Sequence, residues 1–283
     1  MTSRYSGERV RRGLWHFFVG KGVSALCGFL AMVLVVRALP LEGFADYSVL
    51  IALVELGTAF SGLGLAHVLL RYVPELYERQ YRVSLRRLVG GALGIRTAAV
   101  LLLAMAMHAW SPAFSELIGI RSGTAVLSAF LVIVVLRSTA HFLSQVLEST
   151  LNQGLVQVGF SVSAMLRLAG MAMLLQRGNV QLIEVIYVES FADGACLLLL
   201  MGGVLKVLFE AGTTGPPQDV PWLRSRLRTI ARFAAAGYAQ HVAILPYGPH
   251  TNRLVAGHML PASAMASFGF AQSLYEYLSL IHI

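Results

Sequence analysis

The chain has 283 residues, of which 57% are hydrophobic and 13% charged, with a formal net charge of +8. A soluble domain carries about 25% charged residues. Water cannot solvate so apolar a surface, so the composition excludes a soluble globular domain and points to a lipid bilayer. The basic residues cluster in short stretches between apolar runs. That placement serves membrane topology and anionic lipid headgroups rather than nucleic acid.

Arg4, Arg9, Arg11 and Arg12 precede an apolar run from Leu14 to Val36. The run is too long for a secretory h-region and leaves without an A-x-A cleavage site, so it reads as a retained first helix. A hydrocarbon core takes roughly 20 predominantly apolar residues per helix. Stretches of that kind fall at 14–36, 44–70, 88–110, 122–143, 155–176, 182–208, 230–256 and 262–283. Cys27 and Cys196 lie inside apolar runs, which fits neither a disulfide framework nor a metal site. With the N-terminus in the cytoplasm, 16 of the 22 Lys and Arg fall in inside segments, Arg137 among them. Arg37, Arg121 and Arg177 fall outside, and Arg96, Arg167 and Arg253 lie within the stretches. This bias follows the positive-inside rule.

The segment EAGTTGPPQDVPW, from Glu210 to Trp222, is rich in Pro and Gly. Pro216, Pro217 and Pro221 forbid a continuous helix through it. It divides the chain into an N-terminal lobe of six spans (1–209), a cytoplasmic linker (210–228) and the start of a second lobe with two spans (229–283). A short internal repeat supports the division. Leu39-Pro40 is followed by Tyr47 and Glu55, and Leu260-Pro261 is followed at the same offsets by Phe268 and Glu276, 221 residues later. Six intervening spans make both copies enter the membrane in the same direction, an arrangement of parallel halves found in transporters. The expected fold is therefore an all-α integral membrane transporter bundle of two six-helix lobes, the second incomplete. On that reading the sequence is a C-terminally truncated fragment.

Three segments carry a resemblance. RALPLEGFADYS (37–48) follows the basic N-terminus and first span, GLGLAHVLLRYVPEL (62–76) closes the second, and NRLVAGHMLPASAMASFGFAQSL (252–274) supplies the second copy. Together they resemble the flippases of the multidrug/oligosaccharidyl-lipid/polysaccharide superfamily, in particular the polysaccharide and O-antigen branch. The resemblance implies a multi-pass protein of the cytoplasmic (inner) membrane that moves a polyprenyl-pyrophosphate-linked oligosaccharide for surface polysaccharide and lipopolysaccharide synthesis in the cell envelope. It implies as partners the lipid-linked substrate, membrane lipids and polysaccharide-assembly proteins, and no nucleic acid. That family has about twelve to fourteen helices in two like halves, against eight stretches here.

Charges inside spans are costly and usually face the bundle interior. Glu55 lies midway along the second stretch, with Glu276 as its repeat counterpart. Each reads either as a proton- or ion-coupling site or as a carboxylate that holds neighbouring helices in register. Arg167, Glu189 and Asp193 lie 12, 10 and 14 residues from Asn179, the centre of a turn, and so share a depth in an antiparallel hairpin. They read as a salt bridge, with Glu189 and Asp193 on one helix face. The alternative has Arg167 facing a central cavity and meeting substrate pyrophosphate, with the two acids in ion coupling.

The stretch 230–256 is broken by Pro246, Gly248 and Pro249, and its counterpart, the first stretch, by Gly20-Lys21-Gly22 and Gly28. Interrupted spans at matching positions point to a binding site. Lys21 and Arg253 are then its substrate-binding cations, unless Lys21 instead snorkels to the headgroups. His241, His250 and His258 lack the spacing of a helical zinc pair. No phosphate-binding Gly-rich loop and no catalytic triad is present, so neither enzyme activity nor a cofactor is expected. Competing readings are a cation-coupled multidrug exporter, with a carboxylate-lined cavity, and a membrane-embedded polysaccharide-assembly enzyme or subunit.

Overall fold

The computed structural model describes residues 7–210 and 219–281. Within them the chain forms helices α1 (Gly7–Ala38), α2 (Leu41–Phe60), α3 (Leu65–Glu78), α4 (Arg82–Ala109), α5 (Ser111–Ile118) and α6 (Thr124–Ser149). There follow α7 (Gln153–Arg177), α8 (Leu182–Glu210), α9 (Asp219–Ile244), α10 (Pro249–Met259) and α11 (Ala262–Ile281). No strand occurs among the described residues.

Among the described residues, six helices, α1, α2, α4, α6, α7 and α8, are long and apolar enough to cross a membrane. Their side chains are sorted opposite to those of a soluble bundle. On α8, Phe191 and Leu198 point outward with 69% and 74% exposure, while Glu189 and Asp193 are buried at 5% and 3%. Apolar surface in contact with water costs about 25 cal/mol per Å², so such an exterior is at rest only against lipid tails. The chain is an all-α, multi-pass membrane bundle.

Side-chain contacts fix the helix directions. Ser24 of α1 meets Ser161 of α7 and Ser61, at the end of α2, meets Ser138 of α6. Arg137 and Leu147 of α6 meet Asp193 and Gly203 of α8. Each of these pairs is parallel. Arg96 of α4 meets Ser138 of α6 and His108 meets Ser128, an antiparallel pair. Thus α2, α6 and α8 run against α1, α4 and α7.

The structure corrects several expected boundaries. The stretch 44–70 is two helices. It breaks at Ser61–Gly64, where Leu63 and Gly64 take positive φ of 47° and 69°. A Cβ at Gly64 would strike the carbonyl of Ala234 on α9, so only glycine serves there. The first stretch, in contrast, is one continuous helix despite Gly20-Lys21-Gly22 and Gly28. Glycine retains its backbone N–H and costs a helix only about 1 kcal/mol. Gly20 instead lets Gln157 approach, and Gly28 admits Tyr277.

The stretch 230–256 does break, at the 3-10 turn Leu245–Tyr247 between α9 and α10, where Pro246 removes a donor. Neither α9 nor α10–α11 is among the six apolar helices. Helix α6 runs on to Ser149, so Arg137, expected in an inside segment, lies at mid-helix. Within that extension the Thr139 and Ser144 hydroxyls are satisfied by bonding back to Val135 O and His141 O. Of the Pro-rich linker, residues 211–218 lie outside the described residues, as do Arg4 and the rest of 1–6.

The repeat has a structural counterpart. Helices α2 and α11 each start just after a proline, whose carbonyl accepts the N–H of Phe44 in one copy and Met265 in the other, both at 2.9 Å. The two helices pack together in parallel, with Gly269 closing on Ser48, its match at the 221-residue offset.

Asp46, near the start of α2, is fully buried. Its Oδ2 accepts the backbone N–H of Arg121 at 3.0 Å, that of Ser122 at 2.6 Å and the Ser122 hydroxyl. It therefore clamps the loop between α5 and α6. Asp46→Ala removes the buried charged acceptor of these three hydrogen bonds, and we expect it to cost about 2–4 kcal/mol, seen as a lower unfolding temperature in detergent.

Candidate functional site

A cavity of about 260 Å³ lies at the centre of the bundle, walled by α1, α2, α6, α7, α8, α10 and α11. Its floor is an ion network. Glu189 and Asp193 sit one turn apart on one face of α8. Arg137 of α6 approaches them from one side, with Nη2 2.7 Å from Glu189 Oε2 and Nε donating to Asp193 Oδ2 at 2.9 Å. Arg167 of α7 approaches from the other, with Nε 2.9 Å from Glu189 Oε2 and Nη2 paired with Asp193 Oδ1. Tyr47 of α2 donates to Glu189 Oε1 at 3.0 Å. Two guanidinium groups thus face two carboxylates with no net charge. That balance is what a low-dielectric interior demands, since an unpaired charge there costs several kcal/mol.

The opposite wall carries Arg253 and Glu276. Arg253 is 1% exposed; its Nη2 lies 3.2 Å from Glu276 Oε1 and donates to Ser273 Oγ at 3.1 Å. Its Nε has no hydrogen-bond partner among the described residues. The Glu276 side chain is 36% exposed. Glu55 lies between the two walls, within electrostatic reach of Arg137, and accepts no hydrogen bond from a described residue.

Six of the seven residues singled out from the sequence therefore meet here: Glu55, Arg167, Glu189, Asp193, Arg253 and Glu276. The predicted pairing of Arg167 with Glu189 and Asp193 is present. Lys21 is not part of the cavity; its Nζ lies 5.3 Å from the Phe17 ring centroid, towards Glu148. Sequence reasoning missed Arg137 and Tyr47. The signal for Arg137 was the apolar periodicity at Phe142, Leu143, Val146 and Leu147, which continues the helix beyond it. The cavity presents Arg and Glu in equal number, so it is neither a purely cationic nor a purely acidic chamber.

The fold and its charged interior define the class: a multi-pass membrane bundle built around a central polar cavity. No family model matches the chain, and no curated protein matches it. It is similar to a solved structure described as "protein A", with a TM-score of 0.65 over 99% of this chain and 14% sequence identity. The chain spans 63% of the length of that structure. The likeness establishes a shared fold.

Proposed function

We propose that the chain is a flippase-type transporter that moves a polyprenyl-pyrophosphate-linked oligosaccharide across the cytoplasmic membrane, with its N-terminus in the cytoplasm, and that it is not an enzyme. The observation that carries this reading is the arginine set of the central cavity, held inside an otherwise apolar bundle. A pyrophosphate crossing a bilayer needs counter-charge throughout. The planar guanidinium fork matches phosphate oxygens two at a time. Between cycles Glu189, Asp193 and Glu276 neutralise the three arginines, which leaves Glu55 as the carboxylate without an arginine partner among the described residues. When cargo enters, Arg253 exchanges Glu276 for phosphate, and the released carboxylate is exposed enough to be hydrated. Rocking of the second lobe (229–283) against the first (1–209) about the linker (210–228) would then expose the site to each side, with the α2–α11 contact as the sliding surface. The resemblance of 37–48, 62–76 and 252–274 to the polysaccharide branch of flippases agrees with this cargo. The test is reconstitution of the full chain with a fluorescent lipid-linked oligosaccharide. Label should change leaflet faster than in protein-free vesicles, and an unchanged rate contradicts the proposal.

A second reading, the cation-coupled exporter, is favoured by one observation: Glu55 is a carboxylate in the cavity wall that accepts no hydrogen bond from a described residue. The two readings diverge at Glu55→Gln. For a flippase driven by its substrate gradient, the variant keeps transferring lipid-linked sugar. For the exporter, transport ceases to respond to an imposed pH or cation gradient.

A further inference from the structure

Beside the central cavity, and sharing Glu55 with it, lies a second cavity of about 280 Å³, with His67 of α3, Arg96 of α4, His141 of α6, His241 of α9 and His250 of α10 in its wall. Arg96 is 5% exposed. Its Nε and Nη2 donate to Ser138 Oγ at 3.2 and 2.8 Å, and Nη2 also donates to the Thr58 carbonyl at 3.0 Å. Every one of these acceptors is neutral. Among the described residues Arg96 forms no ion pair, whereas all three arginines of the central cavity are matched by carboxylates. Glu55 also lines this cavity, within electrostatic reach of Arg137 and His141, and forms no ion pair with Arg96. Arg96 Nη1 sits beside Gly62, where an added Cβ would come within 3.1 Å of it.

A buried cation with no counter-ion is expensive, and the surrounding wall is underused as well. His67 Nδ1, His250 Nδ1 and Thr58 Oγ1 are buried with no hydrogen-bond partner. In the matching tautomer each imidazole nitrogen can donate, as can the hydroxyl. His67 Nδ1 lies beside Gly237 of α9, where an added Cβ would come within 2.8 Å of it. No group of three or more His, Cys, Asp or Glu among the described residues is arranged to hold a metal ion. The unmet demand is for negative charge bearing several acceptor oxygens.

We propose that this second cavity is a binding site for a phosphate-class oxyanion, held by the guanidinium of Arg96 with His67 and His250 as further donors. The anion is either free in solution or the headgroup of an anionic lipid. This site uses neither Arg253 nor the Arg137–Arg167 network, so it stands independently of the transport reading.

The test is thermal unfolding of the purified full chain in neutral detergent, titrated with inorganic pyrophosphate against sodium chloride of equal ionic strength. At about 100-fold excess over Kd, site-specific binding raises the midpoint by roughly 5–10 °C. A parallel arm compares nanodiscs of phosphatidylglycerol with nanodiscs of phosphatidylcholine. A free-anion site responds to pyrophosphate, a headgroup site to phosphatidylglycerol, and either response supports the proposal if it persists in Arg253→Gln and is lost when Arg96→Gln is added to that variant. Should Arg96→Gln fold poorly, the double variant His67→Gln, His250→Gln keeps the guanidinium and is expected to weaken binding by at least about tenfold, since two hydrogen bonds to the anion are altered. The proposal is overturned by no response in either arm, by a response in Arg253→Gln that survives the addition of Arg96→Gln, or by undiminished affinity in the double histidine variant. A response lost in Arg253→Gln and kept in Arg96→Gln would put the anion in the central cavity, overturning this site while favouring the transport reading.

Discussion

Arg253→Ala stops transfer of lipid-linked sugar while leaving the protein folded. A charged, bidentate contact to phosphate contributes about 2–4 kcal/mol, so the rate should fall roughly 30- to 700-fold. Folding survives because the substitution leaves Glu276, whose side chain is 36% exposed and can draw on water in the cavity. Arg253→Lys keeps the charge and loses the fork, so it should recover only part of the rate. Translocation rate and unfolding temperature measured on the same preparations check all three statements. A wild-type rate in Arg253→Ala contradicts the role given to this arginine.

Arg137→Ala unfolds the protein. Glu189 and Asp193 are each bound by both Arg137 and Arg167. Removing one arginine leaves two buried carboxylates with a single cation, a loss of about 3–5 kcal/mol. Arg167→Ala belongs to the same class. Lost transport in either variant therefore reports on folding before it reports on cargo. The informative comparison replaces the whole set by apolar side chains of similar size: Arg137→Met, Arg167→Met, Glu189→Leu and Asp193→Leu, with Tyr47→Phe to remove the donor to Glu189. Exchange of a buried ion network for apolar groups is often neutral or stabilising. The fivefold variant should hold its unfolding temperature and lose transport. Should it keep transport, the network is scaffolding alone.

The class of this protein was legible from its hydropathy, because bilayer crossing imposes long apolar runs that no other constraint produces. The Arg167–Glu189–Asp193 cluster was legible too, since an antiparallel hairpin fixes which residues share a depth. Arg137 was not. It lies six residues from the end of the expected stretch 122–143 and is expected with the inside segments, whereas α6 runs to Ser149. The hydroxyls beyond it are bonded within the bundle, Ser138 to Ser61 and Arg96 and Thr139 to its own backbone. The break after Phe60 was also hidden, since Ser61–Gly64 lies within an uninterrupted apolar run and its cause, the close approach of Ala234, is 170 residues away. Glycines misled in the opposite sense. In α1, Gly20 and Gly28 mark close helix packing, whereas Gly64 and Pro246 sit at true interruptions. Repeat and register agreed, because the offset that aligns Leu39-Pro40 with Leu260-Pro261 also brings Ser48 against Gly269.

The central claim, that cargo passes through the charged cavity, is tested most directly by photo-crosslinking from its wall. A photoreactive side chain at Ile51, which lines the cavity, is compared with one at Val132, which is half exposed on the bundle's exterior, in membranes supplied with radiolabelled lipid-linked oligosaccharide. Sugar-bearing label should attach at Ile51 and not at Val132. Label at Val132 alone, or none at Ile51 in protein shown to be folded, would contradict the account.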